Sequence, residues 1–445
     1  MSLIVLQSEG VWTYKTKKIK KFSRINRQNT LFGDKIEENV YKRKGFVMKR
    51  KALAAIILAM SLFAVGCGNE GNDDTASSPV ELEAQSVASA ATPAPAPEAT
   101  TTPEPEPEGQ VITERVVKDG MIQSYLTGEW VDEAIGNRRP IGVSIPNQKS
   151  CLPHYGITNA GIIYQVPLRD NLTRLFCIFE DFDDLDRIGP VRSIRDYMVY
   201  MGLEHDAIIC HWGTAYYAND LLNSDKVDNI SQSTQGITKP TSGAFDRYNR
   251  GGSYNSTDSA YMFVDGLMKG VETRGYNWDY DDTFEPKFLF AADGARATYD
   301  DAKSATKIWP GEKGNYNTVG AYFEYDASTN LYDYYEYGSK LRDEHSGTTL
   351  QVSNVVLQVC YAEERDTHGY LAMEMHRDAE HPGNGDGRLF FFTNGKVVEG
   401  YWERKNGDDK PAKYYDMDGN ELVFNQGKTF VCEIWDKWAD SIKYE

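Results

Sequence analysis

Short apolar runs bounded by polar or turn-forming residues recur along the chain after residue 110. Four of them are continuous enough to predict buried β-strands: IGVSI (141–145), GIIYQV (161–166), RLFCIF (174–179) and AIICHW (207–212). Between the last two runs, apolar residues recur at helical spacing, at Ile194, Tyr197, Met198 and Met201. This pattern predicts an α+β fold over residues 111–310, with a mixed sheet covered by helices.

Alternating strands replace this pattern from about residue 322. The segments YFEYD and YDYYEY flank a Ser-Thr-Asn turn, and Asn-Gly and Asp-Gly turns punctuate the strands that follow. Residues 311–445 are therefore predicted to form a β-rich region of hairpins. The spacing leaves open whether this region folds independently or completes the first sheet. Core packing explains the tyrosines of 332–337 better than a sugar-stacking platform, because alternation places only half of them on one face.

An export signal precedes both regions. Residues 48–67, MKRKALAAIILAMSLFAVGC, contain three cations, a 14-residue apolar run and small residues before a cysteine. The apolar run is shorter than the roughly 20 residues that span a bilayer, so a retained transmembrane helix is disfavoured. The ending AVGC resembles a bacterial lipobox, which predicts cleavage of the signal peptide 48–66 and lipidation of Cys67, for example with palmitate. The alternative is an ordinary signal with a chance cysteine.

Composition divides the N-terminal part further. Residues 1–47 are basic, lie before the signal and are predicted to be a non-native or untranslated extension. Removing residues 1–66 changes the formal net charge from −18 to −28, which disfavours nucleic acid as a partner. Residues 67–110 hold seven prolines and nine acidic residues, with no Lys or Arg, and are predicted to form an extended stalk. A simple disordered linker is the alternative.

The strongest candidate for a binding site lies in IGPVRSIRDY (188–197). Arg192 and Arg195 fall at or near the first turn of the predicted helix, where the helix dipole repels cations unless an anion compensates them. A bound carboxylate or phosphate would make this position favourable, with Ser193 able to cap the helix. Alternatively, Asp196 neutralises one of the arginines locally.

Two further residues are candidates for the same site. Arg174 begins one predicted strand and His211 ends another, so both could reach one rim of the sheet. His211 could act as a base near neutral pH, although a packed, satisfied histidine beside Trp212 is the commoner arrangement. Ser193 and Cys151 are the nearest reactive side chains, and neither belongs to a specific catalytic motif.

Other kinds of site find little support in the sequence. Five cysteines remain after Cys67, without CxxC spacing, so a disulfide framework or a zinc site is not expected, although one pair could form. The four in apolar runs, Cys177, Cys210, Cys360 and Cys432, are predicted to be core residues. No metal site and no cofactor are predicted.

Five longer segments point to a known family. They are RRPIGVSIPNQKS (138–150), GITNAGIIYQVPLRDNLTRLFCIF (156–179), IGPVRSIRDY (188–197), DAIICHWG (206–213) and the stretch beginning NGKVVEGYWERK (394–405). These segments resemble the YerB-like lipoproteins of Gram-positive bacteria, a family of unknown function. The resemblance implies a lipid-anchored, extracytoplasmic α+β protein with N- and C-terminal YerB-like domains. It supplies no reaction.

These observations favour a lipoprotein on the outer face of the plasma membrane, held by lipid on Cys67. Its predicted role is non-catalytic binding of an anionic cell-wall ligand, such as peptidoglycan, or of a cell-wall synthesis protein. The binding residues would be Arg174, Arg192, Ser193, Arg195 and His211. The alternative is a hydrolase of wall polymer with His211 as general base.

Overall fold

The computed structural model describes residues 111–445 except 170–171, 233–242, 252–255, 376–384 and 405–409; at 256 and 257 it describes only the backbone. A separate unit, Met1–Pro97, contributes the backbone of three antiparallel strands: Ser2–Ser8, Val11–Lys17 and Asn39–Tyr41. The predicted signal peptide 48–66, Cys67 and the stalk lie outside the described residues. The non-native origin of 1–47 stays a prediction.

The core of the described region is a mixed sheet of eleven strands. In chain order these are β1 (Ile141–Pro146), β2 (Ile162–Pro167), β3 (Thr173–Phe179), β4 (Ile208–His211), β5 (Asn229–Ser231), β6 (Lys303–Ser304), β7 (Asn354–Cys360), β8 (Asp386–Thr393), β9 (Lys396–Glu403), β10 (Lys413–Asp416) and β11 (Thr429–Trp435). The four predicted strands coincide with β1 to β4, and every residue of those strands is buried because both faces are covered.

The C-terminal strands complete the first sheet. The strand order is β5-β4-β1-β3-β2-β11-β7-β8-β9-β6, with β10 also paired to β9. The last strand, β11, lies parallel between β2 and β7, with Val431 opposite Tyr164 on one side and Val356 on the other. The sheet is therefore continuous across the predicted boundary near residue 310, and the alternative that the sequence left open is decided in favour of one sheet.

A second sheet and a few helices cover the central sheet. The helices are α1 (Glu133–Gly136), α2 (Asp196–Leu203), α3 (Asn219–Leu222), α4 (Val264–Arg274) and α5 (Gly314–Val319). Buried residues of α2 pack with one face and buried residues of α4 with the other. The expected mixed sheet is present, but full coverage by helices is not confirmed, because a sheet rather than a helix packs on much of the second face.

That second sheet is antiparallel. Its strands are Lys307–Trp309, Tyr322–Asp326, Leu331–Glu336, Ser339–Lys340, Gln351–Val352 and Lys443–Tyr444. Tyr332 and Tyr334 are fully buried in the core that it shares with β11, which agrees with the core-packing explanation of the tyrosine run. The predicted hairpin turns are also present. Asn394 and Gly395 both have positive φ, 49° and 67°, as a tight turn between β8 and β9 requires.

Smaller strand groups complete the described region. They are Arg187–Ile188 with Phe245–Arg247 and Ala260–Phe263; Met121–Gln123 with Trp130–Asp132; Leu289–Phe290 with Val423–Phe424; and Ala362–Glu364 with Leu371–Met373. Short 3-10 helices occupy Lys149–Cys151, Ile157–Asn159, Tyr216–Ala218, Ser256–Ser259 and Asp436–Ser441. The five described cysteines are free and buried, as predicted for the four in strands. Within the described ranges, no helix combines the length and apolarity that crossing a bilayer requires.

Candidate functional site

The predicted arginine cluster lies where the loop 190–195 crosses one end of the central sheet. Backbone hydrogen bonds fix this loop: the Arg192 N–H donates to the Ser144 carbonyl at 2.8 Å, and the Ile194 N–H donates to the Gly213 carbonyl at 3.1 Å. Helix α2 begins at Asp196, and Arg195 occupies the capping position without a side-chain cap. Ser193 therefore does not cap the helix as the sequence suggested.

Two guanidinium groups meet at one peptide carbonyl. Nη1 of Arg174, on β3, donates to the Ser193 oxygen at 2.6 Å, and Nη1 of Arg195 donates to the same oxygen at 3.2 Å. The Ser144 hydroxyl also donates to this oxygen, at 3.3 Å. The structure thus brings Arg174, Ser193 and Arg195 together, although they come from a strand and a loop that are separated in sequence.

The charge of Arg174 is poorly compensated. The residue is only 8% exposed, and burial, followed by the positive charges of Arg195 and Arg192, lowers the pKa of its guanidinium to about 9. The group remains charged at neutral pH. Burial is the larger cause of this shift, and the guanidinium groups of Arg195 and Arg192 add to it. An anion placed beside Arg195, which is partly exposed, would therefore offset like-charge repulsion.

Carboxylates from distant segments pair with the other charges. Arg192 Nη2 lies 2.9 Å from Oδ1 of Asp258, whose side chain is 2% exposed. The Cys151 thiol donates to the same oxygen at 3.2 Å. Asp196, expected as a local partner of the arginines, instead lies 2.5 Å from Nη2 of Arg365. Sequence reasoning missed Asp258 and Arg365 because nothing in the chain marks them as neighbours of this loop.

His211 is enclosed by protein. It has no exposed surface, and its Nδ1 lies 2.8 Å from the Gly213 carbonyl oxygen. Burial lowers the pKa of His211 to about 4, so the ring is neutral at physiological pH. This geometry fits the packed histidine better than a general base, which must reach the proton that it removes.

The two candidate nucleophiles also lack activation. Burial, followed by a hydrogen bond to Asp258, raises the pKa of the Cys151 thiol to about 11, so it is protonated at neutral pH. For Ser193, no imidazole or carboxylate of the described residues hydrogen-bonds to its hydroxyl.

The described residues also contain no group of three or more His, Cys, Asp or Glu side chains placed to hold a metal ion.

An aromatic and cationic surface continues from the cluster. The guanidinium of Arg195 lies 5.4 Å from the ring centroid of Tyr370, and that of Arg169 lies 5.5 Å from the same ring. Arg365 lies over Tyr217, 4.8 Å from its ring centroid. These contacts join the N-terminal region to the loop between Ala362–Glu364 and Leu371–Met373. Arginine and aromatic side chains are typical of recognition surfaces.

A buried ionic group was also missed from the sequence. Glu204, which follows α2, forms salt bridges with Lys287 and Arg404, and all three side chains are at most 1% exposed. The Ala412 N–H donates to the Glu204 carboxylate at 3.2 Å. Because the group is enclosed and internally paired, it connects the two halves of the fold rather than contacting a ligand.

Comparison with known proteins defines the family. The model for the "Protein of unknown function (DUF3048) N-terminal domain" matches residues 126–277, and the model for the corresponding C-terminal domain matches residues 313–431. A Bacillus subtilis (strain 168) protein named "Putative lipoprotein YerB" is 25% identical over 321 residues, which are 72% of this chain and 88% of that protein. The chain belongs to the YerB-like DUF3048 family. The family resemblance predicted from the sequence motifs is confirmed.

A crystal structure agrees with the fold of this DUF3048 protein. The structure of the YerB protein from Bacillus subtilis aligns with a TM-score of 0.59 at 21% identity, covering 73% of this chain and 99% of the YerB chain. At this identity the likeness supports the architecture. The family is one of unknown function, and a shared fold does not by itself specify what a protein binds or catalyses.

Proposed function

We propose that this DUF3048 protein is an extracytoplasmic lipoprotein, anchored through lipid on Cys67, that binds an anionic ligand without catalysing a reaction. The ligand would be a carboxylate of a cell-wall peptide or an acidic segment of a cell-envelope protein. The export signal with its terminal cysteine supports the anchor, as does the name of the Bacillus relative. The binding residues would be Arg174, Arg192 and Arg195.

The observation that carries the proposal is the shared use of one carbonyl by two guanidinium groups. Arg174 and Arg195 both donate to the Ser193 oxygen, and the pKa of Arg174 is lowered. A carboxylate could accept from the partly exposed Arg195 with two parallel hydrogen bonds. The whole chain carries a formal charge of −18, so a local excess of cations runs against its overall charge. An anionic partner would explain this excess.

Binding is favoured over hydrolysis by the state of the reactive side chains. His211 is neutral and enclosed, Cys151 is a buried thiol and Ser193 uses its carbonyl rather than its hydroxyl in the cluster. A hydrolase needs a nucleophile or a polarised water beside an available base. The arrangement supplies cations for recognition but no such pair.

Charge reversal at Arg195 tests the proposal. Arg195 contacts two backbone carbonyls and one ring, so Arg195→Glu should change the melting temperature of the full chain by no more than about 2 °C. Capture of purified wall fragments by the full chain should fall roughly tenfold or more.

Lys269→Glu provides a matched control, because Lys269 is exposed on α4, which packs on the other face of the central sheet. This control should retain capture. Unchanged capture by Arg195→Glu would refute the site, and an equal loss in both variants would show that only net charge matters.

A further inference from the structure

A concave site lies beside the arginine cluster, in a cavity of about 360 Å³ that we name the tryptophan cleft. Its walls come from Leu168 and Arg169 after β2, from the loop 364–371, from α5, and from the end of β11 with the segment that follows it. The lining residues include Arg169, Glu364, His368, Trp435, Lys437 and Trp438. The volume lies in the range of about 300–1,000 Å³ that is usual for sites that enclose small ligands rather than protein surfaces.

Internal hydrogen bonds hold two walls of the tryptophan cleft. The buried side chain of Asn315, on α5, donates to the Leu168 and Leu172 carbonyls, both at 2.7 Å, and so fixes Leu168, the neighbour of Arg169. The Trp435 indole N–H donates to the Ala362 carbonyl at 2.8 Å, which fixes the start of the strand Ala362–Glu364 that leads into the loop 364–371. A cleft whose walls are already ordered loses little conformational entropy when it binds a ligand.

Trp438 is also fixed in place. Gly314 has φ +66°, and a Cβ added there would lie 2.6 Å from the Trp438 indole nitrogen. The indole therefore packs directly on the backbone of Gly314, with no room for a side chain between them. This contact holds the Trp438 ring at the wall of the cleft, where it can offer an apolar surface to a ligand.

The described lining residues of the cleft include more cations than carboxylates. The Lys437 ammonium lies 3.1 Å from the ring centroid of Trp435 and 5.1 Å from that of Trp438, so two indoles hold a long side chain in one place. Among the described lining residues, Arg169 provides a second cation and Glu364 is the carboxylate. Two cations that line one cleft of a strongly acidic chain favour an anionic ligand.

We infer that the tryptophan cleft binds a carboxylate-bearing sugar. The apolar face of a pyranose ring packs on an aromatic side chain, its hydroxyls suit polar groups such as His368, and its carboxylate would meet Lys437 and Arg169. The concavity and the mixture of indole, polar and cationic groups favour such a ligand over a flat protein surface. This inference does not depend on anion binding at the arginine cluster, because the two sites use different side chains.

Ligand-observed NMR titration of the full chain tests this inference with N-acetylmuramic acid as the probe. N-acetylglucosamine is the matched neutral sugar, because it lacks only the lactyl ether that carries the carboxylate. The acidic sugar should bind saturably and roughly tenfold more tightly than the neutral one. Lys437→Met should weaken binding of the acidic sugar to the level of the neutral sugar, while Lys269→Met, the control, should not.

Four outcomes would overturn the inference. The first three are the absence of saturable binding, equal affinity for the two sugars, and binding of the acidic sugar that survives Lys437→Met unchanged. Competition by inorganic phosphate at equal concentration would also overturn it, because the cleft would then be a simple anion site. Lys437 is exposed, so its replacement should leave thermal unfolding unaltered and the binding result interpretable.

Discussion

Removal of the buried charge at Glu204 should strongly destabilise the fold. Its carboxylate accepts hydrogen bonds from Lys287, Arg404 and the Ala412 N–H. The side chains of Glu204, Lys287 and Arg404 are each at most 1% exposed. Burial alone would favour the neutral acid, but the charges of Arg404 and Lys287 outweigh it and lower the pKa of Glu204. The carboxylate therefore stays ionised and is the partner that both cations share.

Glu204→Gln preserves the size of the side chain and removes its charge. Two buried cations would then lack their common anion, and breaking a buried ion pair in this way costs about 3–5 kcal/mol. Domains are typically stable by only about 5–15 kcal/mol, so the variant should lose a large fraction of its stability. Because Glu204 lies in the N-terminal family region and Arg404 in the C-terminal one, both regions should unfold together.

Urea unfolding of the full chain, followed by circular dichroism, measures the loss. Glu399→Gln is the control, because Glu399 pairs with the exposed Lys303 and such pairs contribute less than about 1 kcal/mol. A loss below about 1 kcal/mol for Glu204→Gln would refute the reasoning, since the two cations would then have another source of compensation. Separate transitions for the two regions would refute the coupling between them.

Two further predictions concern pH and the anchor. Burial raises the pKa of Glu433 to about 8, above its value in the unfolded chain. The contribution of Glu433 to stability is therefore full below about pH 4.5 and is lost as the pH rises through 8. Glu433→Gln should flatten this loss in urea unfolding from about pH 5 to 9, and an unchanged profile would contradict the assignment. Cys67→Ser should move the protein from the membrane to the soluble fraction, because an acyl chain contributes about 0.8 kcal/mol per buried methylene; retention in the membrane fraction would contradict lipid anchoring.

Local pattern was enough to predict four strands of the N-terminal region. The runs that became β1 to β4 are apolar at nearly every position, as strands covered on both faces must be. The pairing of β11 between β2 and β7 was not predictable in the same way. Strand neighbours more than 250 residues apart are chosen by tertiary packing, which leaves no period in the sequence.

The candidate site was predictable only in part. The cation excess at Arg192 and Arg195 followed from the helix start, and the structure does bring Arg174 to the same carbonyl. The partners Asp258 and Arg365 could not be inferred, because isolated charged residues in a sequence resemble an ordinary solvated surface. His211 was expected at an accessible rim of the sheet, but it is fully buried. Its burial could not be inferred either, because it depends on elements that pack over β4.

The two proposed sites adjoin each other, and the tryptophan cleft is built from segments that are far apart in sequence. In the tryptophan cleft, Arg169 comes from the N-terminal region, whereas Trp435 is the final residue of β11 and Lys437 follows that strand. The ring of Tyr370 lies beside both Arg169 and Arg195 and so joins the cleft to the arginine cluster. Because β11 pairs with β2, removing β11 and the residues after it would expose one edge of β2. The same removal would also delete the wall of the cleft that contains Trp435 and Lys437. A polymer that carries both sugar rings and carboxylates could span the two sites, which would increase its apparent affinity through multivalent binding without any additional contact at either site.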